Sequence, residues 1–350
     1  MSAGPGSALD AVRSDSVQIA HSAVVLGTAR LGEGTLLAQG TVIRSSGTGV
    51  EVGTGSAVIE NSVVVGTSEI PTVIGRRTTF GHRCKVMGAT VGDLCEIGNA
   101  SILMPGARVG DRVFLGEGTL VPAGTTLPSD VVAVGRPARI VRSASGDDIR
   151  RLTALRDGDL SIPPPTAITI ENRQEAIPMG QLYTYRDILP TIAASATLFP
   201  TAEITGDVVV GERTIIGAGV KIIGDSHGPV RIGNDVQILE NTVLHLLPDN
   251  DLIIHDDAIV GPGAMIHGCR IGAGSVIEPG AIVCDTSVLG AGCVVRAGAV
   301  VKQRSQFADG TDIDGFPAVD VGRISGQPPM PSWALRPDDL PVPAADGPVQ

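Results

Sequence analysis

Aliphatic residues recur every six positions along most of the chain. In the first half Val25, Leu31, Leu37 and Ile43 keep this interval, as do Val91, Ile97, Leu103, Val109, Leu115 and Val121. In the second half Ile204, Val210, Ile216 and Ile222 repeat it, followed by Ile271, Ile277, Val283, Leu289, Val295 and Val301. An α-helix needs a period of about 3.6 and a lone strand a period of about 2, so neither explains a sustained six. A parallel β-helix does: each hexad is a short strand plus a corner, and three hexads close one triangular coil. Gly92, Gly98, Gly110 and Gly116 directly follow inward aliphatics, where a Cβ would crowd the bend. Coils of this kind stack about 4.8 Å apart by strand pairing. The predicted fold class is all-β, with short accessory helices.

The pattern occurs twice. Residues 17–142 and 197–323 align at an offset of 179, which becomes 180 after one added residue near Ser226. VIENSVVVGTSEIPTVIG (58–75) matches QILENTVLHLLPDNDLIIH (237–255), loop included, and the closing segments VGRPARIVR (134–142) and DGFPAVDVGR (314–323) also correspond. The predicted organisation is a disordered N-terminus (1–16), a first β-helix domain (17–142), a helix and linker (143–196), a second β-helix domain (197–323) and a Pro-rich tail (324–350). Within the linker, GDDIRRLTALRDG reads as a short helix packed back along the coil, with Asp147 and Asp148 where the helix dipole favours acids.

Composition narrows the picture. The chain is 43% hydrophobic but only 2% aromatic, with 46 Gly and 24 Pro, so its core must be thin and filled by Val, Ile, Leu and Ala. A net charge of −11 argues against nucleic acid or anionic membrane as partner, since both require basic surface. No run approaches the ~18 apolar residues of a membrane span. MSAGPGSALDAVRSDS lacks the features of a signal peptide. Five cysteines (Cys84, Cys95, Cys269, Cys284, Cys293), without a C-x-x-C, read as small core residues in a reducing compartment, and the expected location is the cytoplasm.

The histidines carry the candidate chemistry. The second half contains IIGD, ILENTVLH and VGPGAMIHGC; the first contains IRSS, VIENSVVV and FGHRCKVMGA. On these segments both halves resemble γ-class carbonic anhydrases, a branch of the left-handed β-helix, hexapeptide-repeat proteins, and the resemblance supplies the hand of the coil. The family pattern is an Arg-Gly-Asp, a Gln-Asp-Asn followed four residues later by a zinc His, and a Gly-His-x4-His-Gly that gives two more. In the second half the zinc positions fall on His245, Pro262 and His267; in the first they fall on Val65, His82 and Met87. Arg44 and Asp225 fill the Arg and Asp positions of one half each, opposite Ile223 and Ser46. Among the Arg, Asp and three His positions, none is lost in both halves and none is kept in both.

In the family the zinc lies between subunits, one giving the first and third His and its neighbour the middle one. The resemblance therefore implies one composite site, with His245 and His267 from a second-half domain and His82 from a first-half domain. Three imidazoles and an open position make a catalytic zinc site; iron or cobalt could occupy it too. The implied enzyme is a zinc lyase or hydrolase acting on carbon dioxide or an activated carbonyl such as a thioester. Arg44 and Asp225 would assist, and Glu240 and Glu60 are candidates for proton transfer. Leu239 and Ile59 stand where the family has Gln, which makes the pocket drier and suits a larger organic substrate. The expected partners are a small-molecule substrate and either further copies of the chain or a homologous β-helix chain.

Two other readings stand beside this one. His227, in GDSHGPVRIG, sits in a corner insertion and is the candidate general base of a coenzyme A-dependent hexapeptide acyltransferase. The other is a non-catalytic assembly module that uses its flat faces for association. His255 reads as a corner residue, and His21 carries no motif.

Overall fold

Each hexad forms a strand of two to four residues whose central or last aliphatic points inward. Thr79–Phe80, Glu96–Ile97 and Phe114–Leu115 stack in parallel, burying Phe80, Ile97 and Leu115. The structure is a computed structural model and describes residues 12–14, 17–173, 180–225, 227–336 and 339. Apart from Val12–Ser14, a short strand antiparallel to Val17–Ile19, the expected disordered N-terminus lies outside the described residues, as does most of the tail beyond 336.

Both coils are triangular, and their faces correspond. Face A of the second coil includes Glu203–Gly206, Lys221–Gly224, Val243–His245, Met265–His267, Ile282–Val283 and Val300–Val301. Face B runs from Thr191–Ile192 to Gln306–Phe307, and face C from Thr197–Leu198 through Gln237–Ile238 and Ile259–Val260 to Thr311–Gly315. In the first coil, face A holds Val63–Gly66, Lys85–Met87 and Ile102–Leu103, and face C holds Ala57–Val58 and Thr79–Phe80. There the long strand Val42–Val52 turns a corner and pairs on both sides, merging faces A and B into one sheet. Each coil has its own aliphatic core, with Val64, Val86 and Leu103 in one and Leu244, Ile266 and Val283 in the other.

The one α-helix among the described residues is α1, Gly146–Leu155, in the predicted place. Ser145 and Asp148 form a reciprocal capping box, and Asp147 and Asp148 lie in the first turn. Leu152 is fully buried against the first coil, and Arg156 just beyond binds the Arg77 carbonyl and Glu96. The linker then forms the strand Ile168–Arg173, antiparallel to Val24–Leu31. Gln181–Tyr183 already belongs to face A of the second coil.

The ends of the coils are closed antiparallel: Arg139–Ser143 folds onto Val131–Val134, and Ala318–Arg323 onto Thr311–Gly315.

A third apolar cluster joins the two coils side by side. Val42, Val63, Val65, Met87 and Ile102 on face A of the first pack against Leu239, Ile259, Val276 and Val294 of the second. From the tail, Trp333, Ala334 and Leu335 complete the seam, so this stretch is irregular in conformation yet buried. Its polar groups are matched: Gln237 exchanges two hydrogen bonds with the Leu335 backbone, and Arg44 Nη2 donates to the Trp333 carbonyl at 2.6 Å. Burying each large aliphatic is worth about 1.5–3 kcal/mol, so a seam of this composition holds the coils firmly.

Candidate metal centre

His245 and His267 stand on adjacent parallel strands of face A. In VLH and MIH the middle aliphatic enters the core, which turns both flanking residues outward. The two histidines are direct register partners, so their rings share one outer patch. His245 Nδ1 lies 3.3 Å from His267 Nε2. Two imidazole nitrogens bound tetrahedrally to zinc at about 2.0–2.1 Å must lie about 3.4 Å apart, so the pair is spaced to share one ion.

Carboxylates flank the pair. His267 Nδ1 is 2.6 Å from Asp285 Oδ2, which directs the other ring nitrogen, Nε2, toward His245. Asp285 also accepts hydrogen bonds from the Leu247 backbone N–H and the Asn250 side chain. Its burial would raise the carboxyl pKa, but these donors outweigh that and lower it. On the other side His245 Nε2 lies 3.5 Å from Asp225 Oδ2. Burial is likewise overcome at Asp225, whose pKa is lowered by the His227 backbone N–H and by the His245 ring.

His227 belongs to this string as well. Its backbone N–H donates to Asp225 Oδ1 at 2.9 Å, and its Nδ1 is 3.1 Å from the Leu246 carbonyl. Asp225, His227 and His245 offer ligand atoms within 4.8 Å of one another, so an ion on the Nε2 side of His245 would have a second donor set. Asp285 was not singled out from the sequence. The available signal is spacing, since Asp285 stands 18 residues after His267, one coil on in a hexad repeat.

The other predicted residues lie elsewhere. His82 sits in the corner after Thr79–Phe80, more than half exposed, with Nδ1 2.9 Å from Glu60 Oε2 but without hydrogen-bond alignment. Arg44 and Glu240 pair with each other across the seam, Nε to Oε1 at 2.5 Å, both buried. Val65, Met87 and Pro262, at the positions lacking His, are all buried. Beside Pro262, a Cβ on Gly263 would collide with Lys85 of the first coil. Lys85 itself is almost fully buried; burial pushes its pKa down to about 8, with Arg83 and Arg136 adding to the effect. Within the chain, then, the structure groups His245 and His267 with Asp225, His227 and Asp285, and His82 with Glu60.

Comparison with known proteins agrees with this architecture. Residues 251–285 match the family described as bacterial transferase hexapeptide (six repeats), and residues 71–104 match the hexapeptide repeat of succinyl-transferase. A carbonic anhydrase from Geobacillus kaustophilus is 40% identical over 109 residues, 31% of this chain and 59% of that protein. The mitochondrial gamma carbonic anhydrase 2 of Arabidopsis thaliana is 31% identical over 139 residues, 38% of this chain and 50% of that protein. The carnitine operon protein CaiE of Proteus sp. is 28% identical over 146 residues, 42% of this chain and 74% of that protein. The chain thus spans 59% and 50% of the length of these two anhydrases. Both halves carry hexapeptide repeats on a parallel β-solenoid, and part of the chain is similar to γ-class carbonic anhydrases.

Proposed function

We propose that the chain is a component of a metal-dependent lyase or hydrolase of the γ-carbonic anhydrase type, with its metal, zinc, on His245 and His267. The third ligand, in this reading, is a corner imidazole of the His82 type on another polypeptide. The spacing of the His245–His267 pair, backed by Asp285, carries this reading.

Zinc held there would supply Lewis acidity toward a water and a carbonyl oxygen. This chain's residues do the rest. Asp285 holds a proton on His267 Nδ1 and fixes the ring. Asp225, an ionised acceptor beside His245 Nε2, steadies that ring from the side away from His267. Ile223, Met265 and Leu247 make the surroundings apolar, which favours an organic carbonyl substrate over bulk water.

Protein isolated from its own cells, with any associated chain retained, should contain stoichiometric zinc and hydrate carbon dioxide or hydrolyse thioesters. His245→Ala and His267→Ala should each remove the zinc held by this pair and the activity that depends on it; metal-free, active protein would sink the proposal. The coenzyme A reading has one supporting observation, a cavity of about 540 Å³ between the coils lined by Arg136, Arg296 and Phe316. His227 does not line it, so that reading predicts coenzyme A binding there without a histidine base.

A further inference from the structure

The two coils meet through different surfaces. The first presents face A; the second presents the corner between its faces C and A. Lys85 lies against Gly263 and Gly280, Ile102 against Gly280 and Gly298, and Arg44 pairs with Glu240. Such a heterologous contact either closes into a ring or runs on as a filament. Asn241 decides between them. Its Nδ2 donates to the carbonyl of Asn61, its own counterpart 180 residues earlier, at 3.2 Å, and to that of Gly40 at 3.0 Å. Counterparts touch only beside a rotation axis, and only if the two coils are level. In a triangular coil a corner points about 60° from the normal of the adjoining face, so seating that corner on face A of the preceding coil turns each coil by about 120°. The ring has three seats, and the chain fills two.

We infer that the third seat belongs to a single-coil hexapeptide-repeat protein carrying all three histidines of the metal pattern. The metal part of this inference rests on the function proposed above; the assembly part does not. Two surfaces border the seat: face A of the second coil, with Met265 and Leu247 exposed around His245 and His267, and the corner of the first coil with Glu60 and His82. A second copy of this chain does not fit. Its first coil already has face A covered by its own second coil, and placing that first coil in the third seat would drive the second into the first coil of the original chain.

The distribution of ligand positions follows the same division. At the internal seam all three are apolar and buried: Val65, Met87 and Pro262. On the two surfaces facing the third seat all three are histidine: His82, His245 and His267. A histidine-complete partner would bring its corner imidazole to His245 and His267, and its own face A pair to His82. Two metal sites result, and the internal seam has none. The partner must also accommodate Arg83, which stands where the second coil has Gly263, so its residue opposite should be small or acidic.

The test is co-expression of the full-length chain with the single-coil, three-histidine homologue of its own genome, followed by native mass spectrometry and metal analysis. The expected product is a 1:1 complex with two metal ions. His82→Ala should leave one ion, and the pair His245→Ala and His267→Ala should leave the other, with the stoichiometry of chains unchanged. A genome without such a homologue, or failure of the two chains to associate, overturns the inference. So does a homomer of this chain whose single metal needs both His82 and His245, although that result would uphold the proposed function. A 1:1 complex without metal would support the three-seat assembly and overturn the metal reading.

Discussion

Arg44 and Glu240 form a buried ion pair, Nε to Oε1 at 2.5 Å, in which each coil neutralises a charge belonging to the other. Glu240 is fully buried, and among the described residues its second oxygen has no hydrogen-bond partner. Removing one member of such a pair strands the other, which costs about 3–5 kcal/mol, whereas an apolar replacement of both is often neutral. Arg44→Met should therefore destabilise the protein by about that amount, and Arg44→Met with Glu240→Met should recover most of it. Chemical denaturation of the two variants checks this; equal losses in both would show that the stranded Glu240 is not the source of the cost.

Asp285 gives a second prediction. Carboxylates behind a metal-bound imidazole typically matter 10- to 100-fold for metal affinity. Asp285→Asn should weaken zinc binding by about that factor while leaving the melting temperature nearly unchanged, as competition with a chelator would read out. An unaltered zinc affinity would remove Asp285 from the site.

Lys85 predicts a pH dependence. Its pKa falls from 10.5 to about 8 through burial. The folded state therefore disfavours the ammonium, and this penalty is present in full below pH 8. Between about pH 8 and 10.5 the unfolded chain holds a proton that the folded chain has lost, so stability rises with pH through this window, by roughly 3 kcal/mol in all. Lys85→Met should flatten that rise and stabilise the protein at pH 7. Denaturation midpoints measured across the window, with and without the substitution, test the sign.

The thiols provide a fourth. Burial pushes Cys84 and Cys95 up to about 12 and raises Cys269 further, while Cys284 alone among the cysteines is only partly buried. Native protein should be alkylated first at Cys284, and peptide mapping after brief iodoacetamide treatment would show it. Early labelling at Cys84 would mean that the first coil opens locally.

The coils were legible in the sequence because their inward residues obey a strict period, and their duplication because loop and closing segments repeat with it. The helix followed from the acids of its first turn, Asp147 and Asp148. How the coils meet was not legible. Outward positions on a face have no periodic signature, so Val65, Met87 and Pro262 read only as missing ligands, although they belong to the seam. Trp333 gave no signal either: a lone aromatic in a Pro-rich stretch says nothing about the surface it will cover. The histidine pair could be found from its motif. Asp285 needed the coil length added to the motif, and the place of His82 needed the orientation of one coil against the other.

The antiparallel closures have a consequence of their own. A stack of parallel strands ends in open backbone donors and acceptors, and an uncovered end would pair with the end of another molecule and grow into fibres. Arg139–Ser143, Ala318–Arg323 and the linker strand Ile168–Arg173 cover three such edges with strands running the opposite way. The linker strand thus serves as a stopper as well as a tether, and shortening it to a bare flexible connection would invite end-to-end aggregation before it disturbed either core.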